Sequence, residues 1–81
     1  MPQYEFTGYF ENEVLRKRPY LQKEWCIRAI ENPIKIDVQL DDSRVRFWVQ
    51  IHEMDDRFLR VVTLEDRVTI HNAVFDRRFK P

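Results

Sequence analysis

The chain has one glycine, Gly8, and one cysteine, Cys26, among its 81 residues. With so little glycine there is no phosphate-cradling loop of the glycine-rich kind. A lone cysteine excludes an intramolecular disulfide and any metal site of the cysteine-pair type, which suits a reducing compartment. An excess of charge is also missing: 14 basic side chains balance 14 acidic ones. That balance excludes a disordered acidic tail and a generally basic nucleic-acid coat, so electrostatic binding must come from local patches. No apolar run approaches the roughly 18 residues that cross a bilayer. The opening MPQYEFTGYF lacks the basic-then-apolar order of a secretion signal. These absences together lead us to expect a cytoplasmic protein with no membrane contact.

What is present is a chain long enough for one domain with one modest core, residues 1–81 forming a single unit. Its aromatic share of 14% makes ring side chains a large part of that core. Pro19 and Pro33 are the internal breaks. Between Thr7 and Arg18, Phe10 and Val14 sit four apart, Thr7 is placed as an N-cap, and Arg16, Lys17 and Arg18 complement the negative end of the dipole, so a short helix is expected. Pro19 stops it and can open a second helix, in which Leu21, Trp25, Cys26, Ala29 and Ile30 form an apolar stripe that ends at Asn32-Pro33.

From Pro33 onward the period is two. Ile34, Ile36, Val38 and Leu40 alternate with polar residues as a half-buried strand, Asp41-Asp42-Ser43 turns, and Val45, Phe47, Val49 and Ile51 alternate with Arg46, Trp48, Gln50 and His52. After a turn at Asp55-Asp56, Phe58 to Leu64 is apolar on both faces and therefore central. Glu65-Asp66 leads into a last strand, Val68 to Val74. The expected class is α+β: two N-terminal helices on a four- to five-stranded antiparallel meander, β-α-α-β-β-β-β, with a short strand at Tyr4 to Phe6 joining its edge.

The E-N-P end of the second helix, the strand RFLRVVTLED, and V-T-I-H-N-A followed by D-R-R-F resemble the RelE/ParE toxin superfamily, and within it the BrnT-like small bacterial proteins. The matching features are Val61-Val62-Thr63 and Val68-Thr69-Ile70 running into Asp76-Arg77-Arg78, and the resemblance covers Trp25 to the C-terminus. It implies a metal-independent, cofactor-free ribonuclease of a type II toxin-antitoxin system that acts on mRNA and is silenced by a small antitoxin protein. Basic residues in such toxins stabilise the pentacoordinate phosphate and activate the ribose 2′-OH.

The candidate catalytic group is Arg60, His71, Arg77 and Arg78. Arginine's planar fork holds phosphate bidentately, and a solvent-facing His71 can move a proton near neutral pH. The plain alternative for His71 is a structural hydrogen bond to its neighbours. For nucleic-acid contact, Arg46 and Trp48 share one strand face, where a ring beside a cation can stack a base. Arg16, Lys17 and Arg18 are a second phosphate-contacting run whose plain reading is a helix cap. The arginines have a plain reading too, cross-strand pairing with Asp37, Glu53 or Asp76. His52 and His71 lack the spacing of metal ligands, so no metal site is expected. Cys26 reads as a buried small hydrophobe. Two function classes follow: an RNA-cleaving or RNA-binding toxin-like protein, and a non-catalytic interaction module whose strand edge binds a protein or pairs two copies as a homodimer.

Overall fold

A computed structural model describes residues 3–81. The chain is α+β, with one five-stranded mixed sheet in the order β1-β5-β4-β3-β2. In chain order the elements are β1 (Glu5–Phe6), a helix α1 over residues 8–17, α2 (Lys23–Glu31), β2 (Lys35–Val38), β3 (Val45–Ile51), a 3₁₀ turn at His52–Met54, β4 (Arg57–Thr63) and β5 (Thr69–Phe75). The last four strands pair antiparallel in succession, and β4 lies at the centre of the sheet as its two-sided apolar pattern requires. The antiparallel expectation fails at one edge, where β1 pairs parallel to β5 through Glu5–Thr69 and Phe6–Ile70. The two helices lie between β1 and β2 in sequence and return the chain to the opposite edge, so β1 need not reverse against its neighbour.

Thr7 caps α1 as its position predicts, its Oγ1 accepting from Phe10 N–H at 3.1 Å. The middle turn, Phe10–Val14, is π-helical, closed by Leu15 N–H on the Phe10 carbonyl, before the α-helical turn Leu15–Lys17. Pro19 does not open the second helix. A turn intervenes and α2 starts at Lys23.

One face of the sheet is covered by the helices. Phe10, Val14, Leu21, Trp25, Cys26 and Ala29 meet Val45, Phe47, Val49, Ile51, Leu59, Val61, Ile70, Ala73 and Phe75 in a single core. Burial pushes the Cys26 thiol up to about 12, which keeps it protonated and unreactive at neutral pH. β5 reaches this core only because of a bulge. Val62 faces Asn72 while Thr63 faces Ile70, so His71 is an extra residue that shifts the alternation, and Ile70, Ala73 and Phe75 all point inward.

The expected half-buried β2 is different. Ile34, Ile36, Val38 and Leu40 remain 49%, 45%, 43% and 97% exposed. Ile36 and Val38 sit opposite Phe47 and Val45, on the helix side, but the core beneath the helices is built from β3, β4 and β5. The turns, lacking glycine, place Ser43, Asp55, Asp56 and Arg67 at positive φ of 60°, 57°, 60° and 63°, a region that costs a non-glycine residue about 1 kcal/mol or more.

Candidate nucleic-acid interface

The face without helices carries the charged half of the β3 and β4 alternation. Trp48 and Arg60 are cross-strand partners, as are Arg46 and Asp37. Asp76, just beyond β5, organises this face. Its Oδ2 accepts from Trp48 Nε1 at 3.1 Å and from Arg60 Nη1 at 3.5 Å, and its Oδ1 accepts from Arg78 N–H at 3.0 Å. The hydrogen bond from Trp48 is the main reason its carboxyl titrates below the ordinary value, with the Arg78 amide and the Arg60 charge adding to it. Held by this aspartate, the chain turns back over the sheet and lays Phe79 on Trp48, ring centroids 5.1 Å apart and planes 15° from parallel. Trp48 is left 6% exposed, so its ring is stacked within the chain and not open to a base.

Beside this anchor lies a cleft of about 310 Å³ lined by Arg57, Phe58, Phe75, Asp76, Arg77 and Phe79. The Arg57 guanidinium sits 4.6 Å from the Phe75 ring centroid. Among the described residues Arg57, Arg77 and Arg78 make no ion pair, whereas Arg46 is paired with Asp37 and Arg60 with Asp76. The cross-strand alternative therefore holds for Arg46 and Arg60, and unneutralised positive charge collects at the cleft.

His71 is elsewhere. Its Nδ1 and Thr7 Oγ1 share a hydrogen bond at 3.1 Å, and its ring stacks on Tyr9 at 4.9 Å. Burial, then the Arg44 charge, holds its pKa below the usual 6.5, so at neutral pH it is an uncharged ring tying β5 to the start of α1. At about 3.3 Å per residue, it stands roughly 15 Å from Asp76 along the strand. Arg16, Lys17 and Arg18 close α1, an element of the opposite, helix-bearing face. Arg16 pairs with Glu13 at 3.3 Å, and Lys23 pairs with Glu11 at 2.7 Å.

The structure thus brings Arg46, Trp48 and Arg60 to one face, puts Arg77 at the adjoining cleft and Arg78 beside it in the turn held by Asp76, and leaves His71 and the 16–18 run apart. Arg57, Asp76 and Phe79 were not among the sequence candidates for the site. Arg57 follows the acidic turn at Asp55-Asp56, and the D-R-R-F string contains the other two; neither pattern shows in advance that the chain folds back. No three His, Cys, Asp or Glu side chains converge among the described residues, and no helix is long and apolar enough to cross a membrane. No family model, curated protein or solved structure matches the chain.

Proposed function

We propose that this protein is a toxin-like RNA-binding protein of a type II toxin-antitoxin system, holding single-stranded RNA at the Arg57–Arg77 cleft, where an antitoxin protein would silence it by covering the same corner. The observation that carries the reading is the cleft: two arginines without carboxylate partners, set among Phe58, Phe75 and Phe79 in a molecule of zero net charge. Guanidinium groups hold phosphate oxygens in pairs, and the half-buried rings of Phe58 and Phe79 can accept bases by stacking without regard to sequence, Phe75 being buried beneath Arg57. The antitoxin rests on the RelE- and BrnT-like resemblance alone.

Binding is a better reading than cleavage. Cleavage needs a base for the 2′-OH proton within hydrogen-bond reach of a phosphate held at the cleft. His71 lies too far along β5, and the Asp76 carboxylate is a weak base already occupied by Trp48 and Arg60. The non-catalytic interaction reading belongs to another surface, the β2 edge.

Induced expression in a bacterial host, with growth and total mRNA followed together, tests the reading. Wild type is expected to slow growth with mRNA intact, and Arg57→Ala with Arg77→Ala to relieve the slowing. Decay of mRNA that His71→Ala abolishes would move the site to the other end of β5 and reject binding without cleavage.

A further inference from the structure

Edge strands normally carry features that stop them pairing with other chains, such as charges, bulges or a covering loop. β1 is only two residues long and lies beside α1. Among the described residues nothing covers β2. Its two charges are turned onto its own sheet, Asp37 pairing with Arg46 and Lys35 lying 5.8 Å from the Trp48 ring centroid. On its other side Ile34, Ile36, Val38 and Leu40 stay exposed. The ladder also fixes which backbone groups are free. Gln39 N–H donates to the Arg44 carbonyl at 2.8 Å, and antiparallel alternation then directs Lys35 and Asp37 toward β3 and turns the N–H and C=O of Ile36 and Val38 outward.

We infer that β2 pairs antiparallel with β2 of a second copy about a two-fold axis at Ile36, joining the two five-stranded sheets into one. The inference stands on the β2 edge and does not depend on the RNA reading. The segment is self-complementary in this register. Ile36 meets Ile36 of the other copy, Ile34 meets Val38, and Lys35 meets Asp37, each pair twice. The free Ile36 N–H closes on the Ile36 carbonyl of the other copy, and by the two-fold symmetry the bond is made twice. Ile34 N–H is already donated to the Trp48 carbonyl, so it asks nothing of the second copy. Registers shifted by two residues set Lys35 against Lys35 or Asp37 against Asp37, and like charges directly opposite oppose pairing. Charge thus selects the register that also aligns the apolar residues. In it the side chains of both copies point to the same side, so the exposed apolar stripe of one continues the stripe of the other, flanked by the helical layers.

Sedimentation of the full chain tests this. Wild type is expected at twice its 10.1 kDa. Lys35→Asp and Asp37→Lys each create two like-charge pairs at the axis, and each variant alone is expected to sediment as a monomer, its dissociation constant raised at least about tenfold. Mixed in equal amounts they form Asp–Lys pairs at every position, and the dimer mass should return. That return also shows that both variants are folded. A wild type that stays monomeric at about 200 μM, far above the micromolar affinities of ordinary specific contacts, overturns the inference. So does a mixture that stays monomeric, or a single variant that dimerises as wild type does.

Discussion

The two ends of β5 carry the same kinds of residue and put them to different uses. At its start, His71 occupies a bulge, its Nδ1 bonded to Thr7 and its ring stacked on Tyr9, so that it holds α1 against the sheet. Just past its end, Asp76 satisfies Trp48, Arg60 and the Arg78 amide so fully that Arg77 and Arg57 are left without partners beside a cleft. One end spends its chemistry on the fold; the other, through a single carboxylate, leaves two arginines unpaired beside a cleft.

Removing the anchor gives the largest expected effect. Asp76→Ala leaves the Trp48 N–H and the Arg60 guanidinium without their acceptor and releases Phe79, so a loss of about 2–3 kcal/mol is expected. Urea denaturation would measure it, and tryptophan fluorescence shifted to the red in the folded variant would report the uncovered ring. An unchanged midpoint would mean the C-terminal turn is not held by this residue.

The next prediction separates function from folding. Arg57→Ala with Arg77→Ala should weaken RNA binding by at least about tenfold, since each charge-assisted contact contributes roughly 1.5–3 kcal/mol. The urea midpoint should move by less than about 1 kcal/mol equivalent, the cation–π contact with Phe75 being the main loss. His71→Ala should do the reverse, costing about 1 kcal/mol from the Thr7 bond and the Tyr9 stack while leaving RNA affinity as it is. If the two variants exchanged these effects, the comparison would be wrong in direction.

A smaller effect is expected at the turn that feeds β5. Arg67 has φ 63°, and Arg67→Gly should raise stability by about 0.5–1 kcal/mol, less whatever freedom the glycine adds to the unfolded chain. The smallest effect concerns pH. Because the folded value of His71 lies below its ordinary 6.5, the unfolded chain takes up the proton first as pH falls. Its stabilising contribution is complete above about pH 6.5 and is lost as the medium is acidified through the folded value. Between pH 7.5 and 5.5, to stay above most carboxylate titration, wild type should lose more stability than His71→Ala does. Equal losses would remove His71 from the contact with Thr7.

Sequence reading reached the β3 core residue by residue, because Val45, Phe47, Val49 and Ile51 alternate with Arg46, Trp48, Gln50 and His52 and that row is buried; for β4 the two-sided apolar pattern gave its central place but not that Leu59, Val61 and Thr63 alone are buried. It reached Thr7 as a cap through the same local logic. It missed the bulge at His71, which no glycine or proline marks and which only the register against β4 reveals. Alternation located the apolar side of β2 correctly but cannot say whether a helix extends far enough to cover it, and here none does. Parallel pairing of β1 with β5 depends on where two helices deliver the chain, which is a tertiary outcome. For the site, the pairing of arginines with Asp37 and Asp76 was legible as cross-strand chemistry, while the bond from Trp48 to Asp76 and the turn that lays Phe79 on Trp48 were not. Asp76 reads as one candidate partner for an arginine until the fold also sets the Trp48 N–H against it.

The most direct test of the central claim is a titration of a fluorescently labelled single-stranded RNA with wild type, with Arg57→Ala plus Arg77→Ala, and with His71→Ala, followed by anisotropy at fixed low salt. Wild type and His71→Ala are expected to bind saturably, and the double arginine variant at least about tenfold more weakly. Failure of wild type to bind, or equal binding by the double arginine variant, would contradict the claim.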